Sequence, residues 1–381
     1  MAGPLSGYKI IELVGLGPAP FGCMMLADLG AEVIRIDRPG GSAISFASSP
    51  KLDLLNRGKR SVCLNLKDPA AIEILLQMVE KADAIVEGNR PGVLEKLGLG
   101  PDVLLARNPK IVIGRMTGWG QDGPLAHAAG HDLNYIALAG ALHPMGYKGQ
   151  KPAIPLNLVG DFGGGGLLLA YGILAALLEA QKSGIGQVVD ANMMDGVTSL
   201  MAIVFGAYQS GFWSDERGTN MLDGGSFYYN VYETLDGKYV TIGSIEPQFY
   251  AELLRILGED GKALPEQYDM EKWPEAVEHL TGVFKKKTRE QWCELMEGTD
   301  VCFAPVLSMS ELKDHPHHKA RGLFNEEDGV WQPTPAPRFS RTEAKLTTSP
   351  VAPGANSDEI LAEFGFDDKQ VAELKEKGSV A

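Results

Sequence analysis

The sequence predicts an α/β protein: a large domain built on a parallel sheet, followed by a smaller α+β domain. Three observations carry this. Short apolar runs alternate with helical patterns through the first half of the chain, with strand, helix and strand fitting into about 30 residues. A run of four glycines, Gly163–Gly166, leads into an apolar helix pattern. From Ser226 the pattern changes to an alternating hairpin followed by amphipathic helices.

Taken in order, Lys9–Leu13 is a short apolar run that reads as the first strand. The Gly/Pro turn VGLGPAP follows, then a helical stretch through Met24, Met25, Leu26 and Leu29, then a second buried strand at Val33–Ile36. The alternation continues with a strand at Val62–Leu66, a helix at Pro69–Lys81, and strands at Ala84–Glu87 and Ile111–Met116. The first half therefore reads as βαβ units forming a parallel α/β sheet. The segment Leu167–Leu178 is shorter than the roughly 18 residues of a membrane span and reads as a buried helix. QVVDANMMDGVTSLMAIVFGAY adds a strand and a long apolar helix. Residues 228–242 alternate about Asp236-Gly237, a strong hairpin signal. Helices at Pro247–Leu257 and Thr288–Met296 precede a Pro-rich stretch from Trp331 to Pro353, and the acidic tail reads as one or two surface helices. The boundaries expected are 1–190 with 325–381 for the large domain, 191–225 for a linking helical region, and 226–324 for the small domain. No internal repeat is visible.

The 381 residues are 44% hydrophobic and carry a formal charge of -14, enough for a substantial core and unfavourable for nucleic acid or an anionic membrane. An anionic ligand must therefore meet a local basic cluster. Arg35, Arg38, Arg57, Lys59, Arg60 and Arg90 all lie early in the chain, and scattered solvated charge explains them equally well. Cys23, Cys63, Cys293 and Cys302 are widely spaced, which suggests neither a disulfide framework nor a zinc site. The start of the chain does not read as a secretion signal, and the tail KGSVA is not a peroxisomal signal of the S-K-L type. The expectation is a cytoplasmic protein, or a peroxisomal or mitochondrial one in a eukaryote.

Several constellations invite a chemical reading. Gly15-Leu-Gly17 follows a strand and opens a helix, with Asp37 at about the 20-residue distance of a nicotinamide-binding fingerprint. Pro18 and Pro20 remove the glycine needed for close helix approach, so a tight turn is the simpler reading. Asp314, His315, His317 and His318 resemble a metal cluster, but adjacent histidines in a polar loop rarely converge, and no metal is expected. His127, His143 and His279 read as structural. His131 stands at a turn opening an apolar helix, in Gly130-His131-Asp132-Leu133-Asn134-Tyr135. Asp161 follows in Asn157-Leu-Val-Gly-Asp161-Phe with the glycine run behind it, where an N-cap and a catalytic carboxylate are both open readings.

At these residues the chain resembles the α-methylacyl-CoA racemases, within the larger CaiB-BaiF group of family III CoA transferases that includes the formyl-CoA and carnitine-type enzymes. The resemblance covers nearly the whole length. It is carried by GLGPAPFGCMMLADLGAEVIRIDRPG, NRGKRSVCLNLK, EGNRPGVLEKLGLGP, RMTGWGQDGP, AGHDLNY, PLNLVGDFGGGG, GQVVDANM, NMLDGG, GSIEPQFY and DVCFAPV. It implies an interlocked homodimer, with each active site between one chain's large domain and its partner's small domain. It also implies an acyl-CoA substrate bound on a Rossmann-like sheet, with no separate cofactor because coenzyme A enters as part of the substrate. Arg38, Arg57, Lys59 and Arg90 fall on positions near the CoA phosphates, and Gly130 beside the CoA.

Racemases of this kind use a histidine and an aspartate on opposite faces of the substrate α-carbon, roles that fall on His131 and Asp161. Glu246, in Gly243-Ser-Ile-Glu-Pro, matches the glutamate that reaches the histidine from the partner chain, and Asn157, Tyr135 and Asp132 take support positions. Inversion needs a base and an acid at once, so the two groups must have matched basicity and opposite protonation states. Met193, Met194, Met201 and Met221 suit either an adaptable acyl surface or ordinary core. The rival activity is a CoA transferase, in which Asp161 attacks the thioester to form a mixed anhydride. The presence of His131, and of GSIEPQFY where formyl-CoA transferase-like enzymes carry a glycine-rich loop, favours the racemase. A CoA-binding module without catalysis fits poorly with His131, Asp161 and Glu246 all in place.

Overall fold

A computed structural model describes residues 3–41 and 47–381. Among them, β1 (Lys9–Leu13), β2 (Glu32–Asp37), β3 (Lys59–Cys63), β4 (Ala84–Glu87), β5 (Val112–Thr117) and β6 (Val188–Asn192) form one sheet in the order β3-β2-β1-β4-β5-β6. Every pairing in it is parallel. The order reverses between β1 and β4, and ligands of open α/β sheets bind beyond the carboxyl ends of the strands at such a reversal. The predicted third strand lay at Val62–Leu66, whereas β3 begins at Lys59. Apolar counting misses its start because Lys59 points inward and pairs with Glu12 of β1 at 2.6 Å, both side chains fully buried.

Helices cover both faces of the sheet. On one side, α1 (Pro18–Asp28) and α6 (Leu168–Ser183) share a core with β1, β4 and β5 through Ala19, Cys23, Leu169 and Ile173. On the other lie α2 (Pro69–Val79), α3 (Val93–Lys96) and α4 (Pro101–Arg107), whose Ile74, Leu75, Leu94 and Leu104 meet Ile11, Ile34 and Ile85. Helix α2 starts at Pro69, with Asp68 accepting the Ala70 N–H at 3.1 Å as its cap.

Two compact units emerge: Met1–Ala139, Leu156–Leu200 and Lys319–Ala381 form the first, Gly140–Pro155 and Met201–His318 the second. Besides the sheet, the first unit holds α5 (Asp132–Leu138), a π-helix at Leu158–Leu167 that runs directly into α6, and α7 (Met193–Leu200). The continuous stretch Leu158–Ser183 is long and apolar enough by composition to cross a membrane. Within this fold Leu169, Ile173 and Leu177 of α6 are buried in the sheet core, whereas Leu167, Tyr171 and Leu178 are exposed.

The expected long helix after β6 divides at Met201 into α7 and α8 (Ala202–Gln209), and α8 has no buried residue. The hairpin predicted at 228–242 is present as β7 (Tyr229–Glu233) and β8 (Tyr239–Gly243), and β9 (Phe303–Pro305) adds a third antiparallel strand to it. Onto these pack α9 (Pro247–Leu257), α10 (Glu259–Lys262), α11 (Trp273–Phe284) and α12 (Arg289–Met296), around Tyr232, Leu253, Leu280 and Phe284. Thr288 caps α12 and exchanges a capping box with Gln291. Helix α13 (Pro316–Arg321) leads to the hairpin β10 (Phe324–Glu327) and β11 (Val330–Pro333). The tail forms α14 (Ser357–Glu363) and α15 (Asp368–Glu376), whose Ile360, Leu361 and Val371 join the core under β3.

Candidate active site

His131 is the N-cap of α5, with extended backbone and an exposed side chain. Two hydrogen bonds fix its turn: its N–H donates to Asn134 Oδ1 at 3.0 Å, and its carbonyl accepts the Asn134 N–H at 2.8 Å. Tyr135 is buried on the same helix, and its hydroxyl donates to the carbonyl of Gly130, the residue before His131. Its ring stands edge-on to Trp119 at 4.6 Å and fills the space above Gly118, where a Cβ would lie 2.0 Å from the ring. Burial first, then the charge of Asp161, push the Tyr135 hydroxyl up. Tyr135 therefore acts on the site by holding the turn that presents His131.

Asp161 lies in the π-helix, a rare form frequently found at functional sites. Phe162 N–H reaches back to the Asn157 carbonyl at 3.3 Å, the i to i−5 bond of that geometry. Asp132 holds the helix start: one carboxylate oxygen accepts the Asp161 N–H at 2.7 Å, and the Gly160 N–H donates to the same side chain. Asn157 Nδ2 donates to Asp161 Oδ2 at 3.1 Å.

Burial raises the Asp161 carboxyl above its usual range. The Asn157 hydrogen bond and the neighbouring His131 oppose that shift, and the charge of Asp132 adds to it. His131 and Asp161 thus come from separate segments to within electrostatic reach of one another. The turn at Gly17 completes this wall. Its φ of 67° suits glycine, and a Cβ there would stand 3.0 Å from Asp161 Oδ2. The opening of α1 consequently faces the carboxylate, though Pro18 and Pro20 remove two of its N–H donors.

A family model for CoA-transferase family III matches residues 5–359. The chain belongs to CoA-transferase family III. It is 43% identical to the alpha-methylacyl-CoA racemase of Homo sapiens over 97% of this chain and 96% of the relative. It is 30% identical to the succinyl-CoA:glutarate CoA-transferase of Homo sapiens, over 99% of this chain and 90% of that one. Among solved structures, a CAIB/BAIF family protein from Brucella suis superposes with a TM-score of 0.80 at 25% identity, covering 96% of this chain and all of that one (100%).

In this family III chain the four cations expected at or near the CoA phosphates divide into two pairs. Arg38 and Arg90 are exposed on the loops that follow β2 and β4, at the carboxyl edge of the sheet. Arg90 also lies close enough to Tyr135 to favour ionisation of its hydroxyl. Arg57 and Lys59 are buried. Arg57 forms a two-pronged pair with Asp28 at 2.6 and 3.0 Å and donates to the Pro333 carbonyl at 2.7 Å. Lys59, besides its pair with Glu12, donates to the Pro20 carbonyl at 3.0 Å. Their charges are taken up inside the first unit, so we assign them to its stability rather than to phosphate binding.

Asp37 is likewise buried, with Oδ2 accepting from Arg35 Nε at 2.6 Å and Ser61 Oγ at 2.5 Å, and so is not presented to a ribose. In the second unit Glu246 is exposed at the N-cap of α9. Its loop is pinned by Gln267, whose amide donates to the Ser244 and Ile245 carbonyls at 2.9 and 2.6 Å. His315 Nε2 faces Glu297 at 2.9 Å, and His318 Nδ1 is 2.8 Å from the Leu312 carbonyl. Met193 belongs to the core beside Tyr135, and Met221 packs against the second unit's core.

The sequence reading gave no role to Arg115, Glu87 or Glu95, although all three lie in the family segments RMTGWG and EGNRPGVLEKLG. Charged residues inside strand patterns are the signal that would have found them.

Proposed function

We propose that the chain interconverts the epimers of 2-methyl-branched acyl-CoA thioesters with His131 and Asp161 as the two groups that remove and supply the α-proton. One group takes the α-proton and leaves an enolate at the thioester. The other delivers a proton to the opposite face, so that no atom is gained or lost overall. The reverse epimer uses the same two groups with roles exchanged. The observation that carries this reading is that His131, at the start of α5, and Asp161, in the π-helix, come within electrostatic reach of one another, with burial raising the Asp161 carboxyl above its usual range. Likeness to a protein named alpha-methylacyl-CoA racemase supports it.

Glu246 of a second copy would orient His131, in a homodimer of interlocked chains with coenzyme A entering only as part of the substrate. Exposed apolar side chains support a second copy. In the first unit Tyr171 is 69% exposed, and in the second Ile203 is 70% and Phe212 81% exposed. A transferase reading, with Asp161 as nucleophile, is supported by the likeness to the glutarate transferase. It leaves His131 without a task, because a nucleophilic carboxylate needs no second proton carrier.

The test is mutational. His131→Ala and Asp161→Ala should each lower the rate of epimer interconversion by roughly 10²–10⁴-fold while CoA binding persists. An unaltered rate in either variant would remove that residue from the mechanism.

A further inference from the structure

Arg90 occupies a five-residue loop, 88–92, whose two ends are tied to a single guanidinium. Arg115 of β5 is 6% exposed and lies directly across from Glu87 in the strand register. Its Nε donates to Glu87 Oε1 at 2.9 Å, and its two terminal nitrogens donate to Glu95 Oε1 and Oε2 at 2.8 and 3.3 Å. Glu87 is 1% exposed, and its other oxygen accepts the Asn89 N–H at 2.7 Å. Within the loop, Pro91 fixes one dihedral, Gly92 takes the left-handed conformation at φ 82°, and the Arg90 carbonyl accepts the Val93 N–H at 3.2 Å. Arg90 itself is exposed, with its charge within electrostatic reach of Tyr135.

From this geometry we infer that Arg115 is a positioning residue for substrate binding. Through Glu87 before the loop and Glu95 after it, Arg115 holds the Arg90 guanidinium in place for the phosphates of an acyl-CoA. The inference rests on the proposed acyl-CoA substrate and adds a residue buried beneath the loop. A fold needing only a buried counter-ion for Glu87 would be served by a single pair. The second, bidentate arm to Glu95 spans the loop, and it restricts where Arg90 can go. Asp190 on β6, across from Arg115 on its other side in the strand register, also lies within electrostatic reach of that guanidinium.

The experiment measures dissociation of CoA itself by calorimetry, together with KM and kcat for a 2-methylacyl-CoA. Arg115→Met leaves Glu87 buried and unpaired and is at risk of misfolding. Glu95→Gln opens only the outer arm and is the working variant, with Arg115→Lys as the variant that keeps charge but loses the fork. Arg90→Met should weaken CoA binding roughly tenfold or more, the effect of losing a hydrogen bond to a charged group. Glu95→Gln should weaken it several-fold and raise KM in proportion, with kcat at saturation retained, and Arg115→Lys should behave alike. Glu95→Gln on top of Arg90→Met should add nothing, because the clamp acts through Arg90. Additive losses, a fall in kcat without a change in KM, or unchanged binding in Glu95→Gln would each overturn the inference. Because CoA binding is read separately from proton transfer, a protein that binds CoA as described but does not racemise would refute the proposed activity and leave the clamp standing.

Discussion

Asp161 holds its proton to higher pH than a solvated carboxylate because the π-helix buries it, with only Asn157 and the nearby His131 favouring the charged form. The shift has a consequence for stability with a definite sign. A carboxyl whose folded pKa lies above the usual 3.8 binds more protons folded than unfolded across the interval between the two values. Its contribution to stability is therefore complete below 3.8 and is lost as pH rises through the raised value. Asp161→Asn, which never ionises, should melt at a higher temperature than the wild type at pH 7, and the gap should close as the pH falls to the usual carboxylate value. Thermal melts across that range check it; a variant less stable at pH 7 would mean the carboxylate is a structural asset. At this scale much of the site was legible. Hydrogen bonds join Asp132, Asn157 and Asp161, and Tyr135 ties down the residue before His131, all within motifs visible in the sequence. What was not legible was the sign of a cation's environment. Arg57 and Lys59 are expected near the CoA phosphates, because sequence does not show that Asp28 and Glu12 meet them inside.

At the scale of elements, the glycine run is required for close packing. Gly166 lies so close to α1 that a Cβ would sit 2.4 Å from the Pro18 carbonyl oxygen and 3.1 Å from Gly22 N, both backbone atoms that cannot swing aside. Gly166→Ala should destabilise the protein by about 1–3 kcal/mol and also slow catalysis, since it moves the Gly17 turn away from Asp161. Gly282→Ala is a control: nothing lies within 4 Å of its Cβ inside helix α11, and the substitution should be neutral or stabilise by about 0.4–1 kcal/mol. Denaturant titration of both variants separates a local packing defect from a general sensitivity to added methyl groups. The alternating strands and capped helices followed from apolar period and turn chemistry. The π-helix did not, because glycine carries no periodic side-chain signal, and its register is set by contacts with α1 and α7. The break between α7 and α8 was invisible for a related reason: both helices are apolar, and only tertiary contacts distinguish the packed one from the exposed one.

For the whole molecule, the exposed apolar surface is the feature a single chain does not explain. Helix α8 buries none of its residues, and a helix with its apolar side chains in water gains little from folding alone. A second copy that covers this surface would also bring its Glu246 to His131, as the family resemblance implies. Refolding a mixture of His131→Ala and Glu246→Gln chains should therefore restore activity. The mixed dimer would contain one site with both defects and one with neither, whereas each variant refolded alone should stay impaired. Activity in the mixture no greater than the average of the two would place Glu246 in its own chain's site or outside the mechanism.

Two-base epimerisation removes the α-proton from one face and delivers a solvent-exchangeable proton to the other, so α-hydrogen exchange reports on it directly. A single epimer of a 2-methylacyl-CoA is incubated with the protein in heavy water, and α-deuterium uptake is followed together with the epimer ratio. Deuterium entering as the ratio converges on an epimer mixture is the predicted result. No exchange, accompanied by movement of CoA onto an added carboxylate, would contradict it and make Asp161 the nucleophile of a transferase.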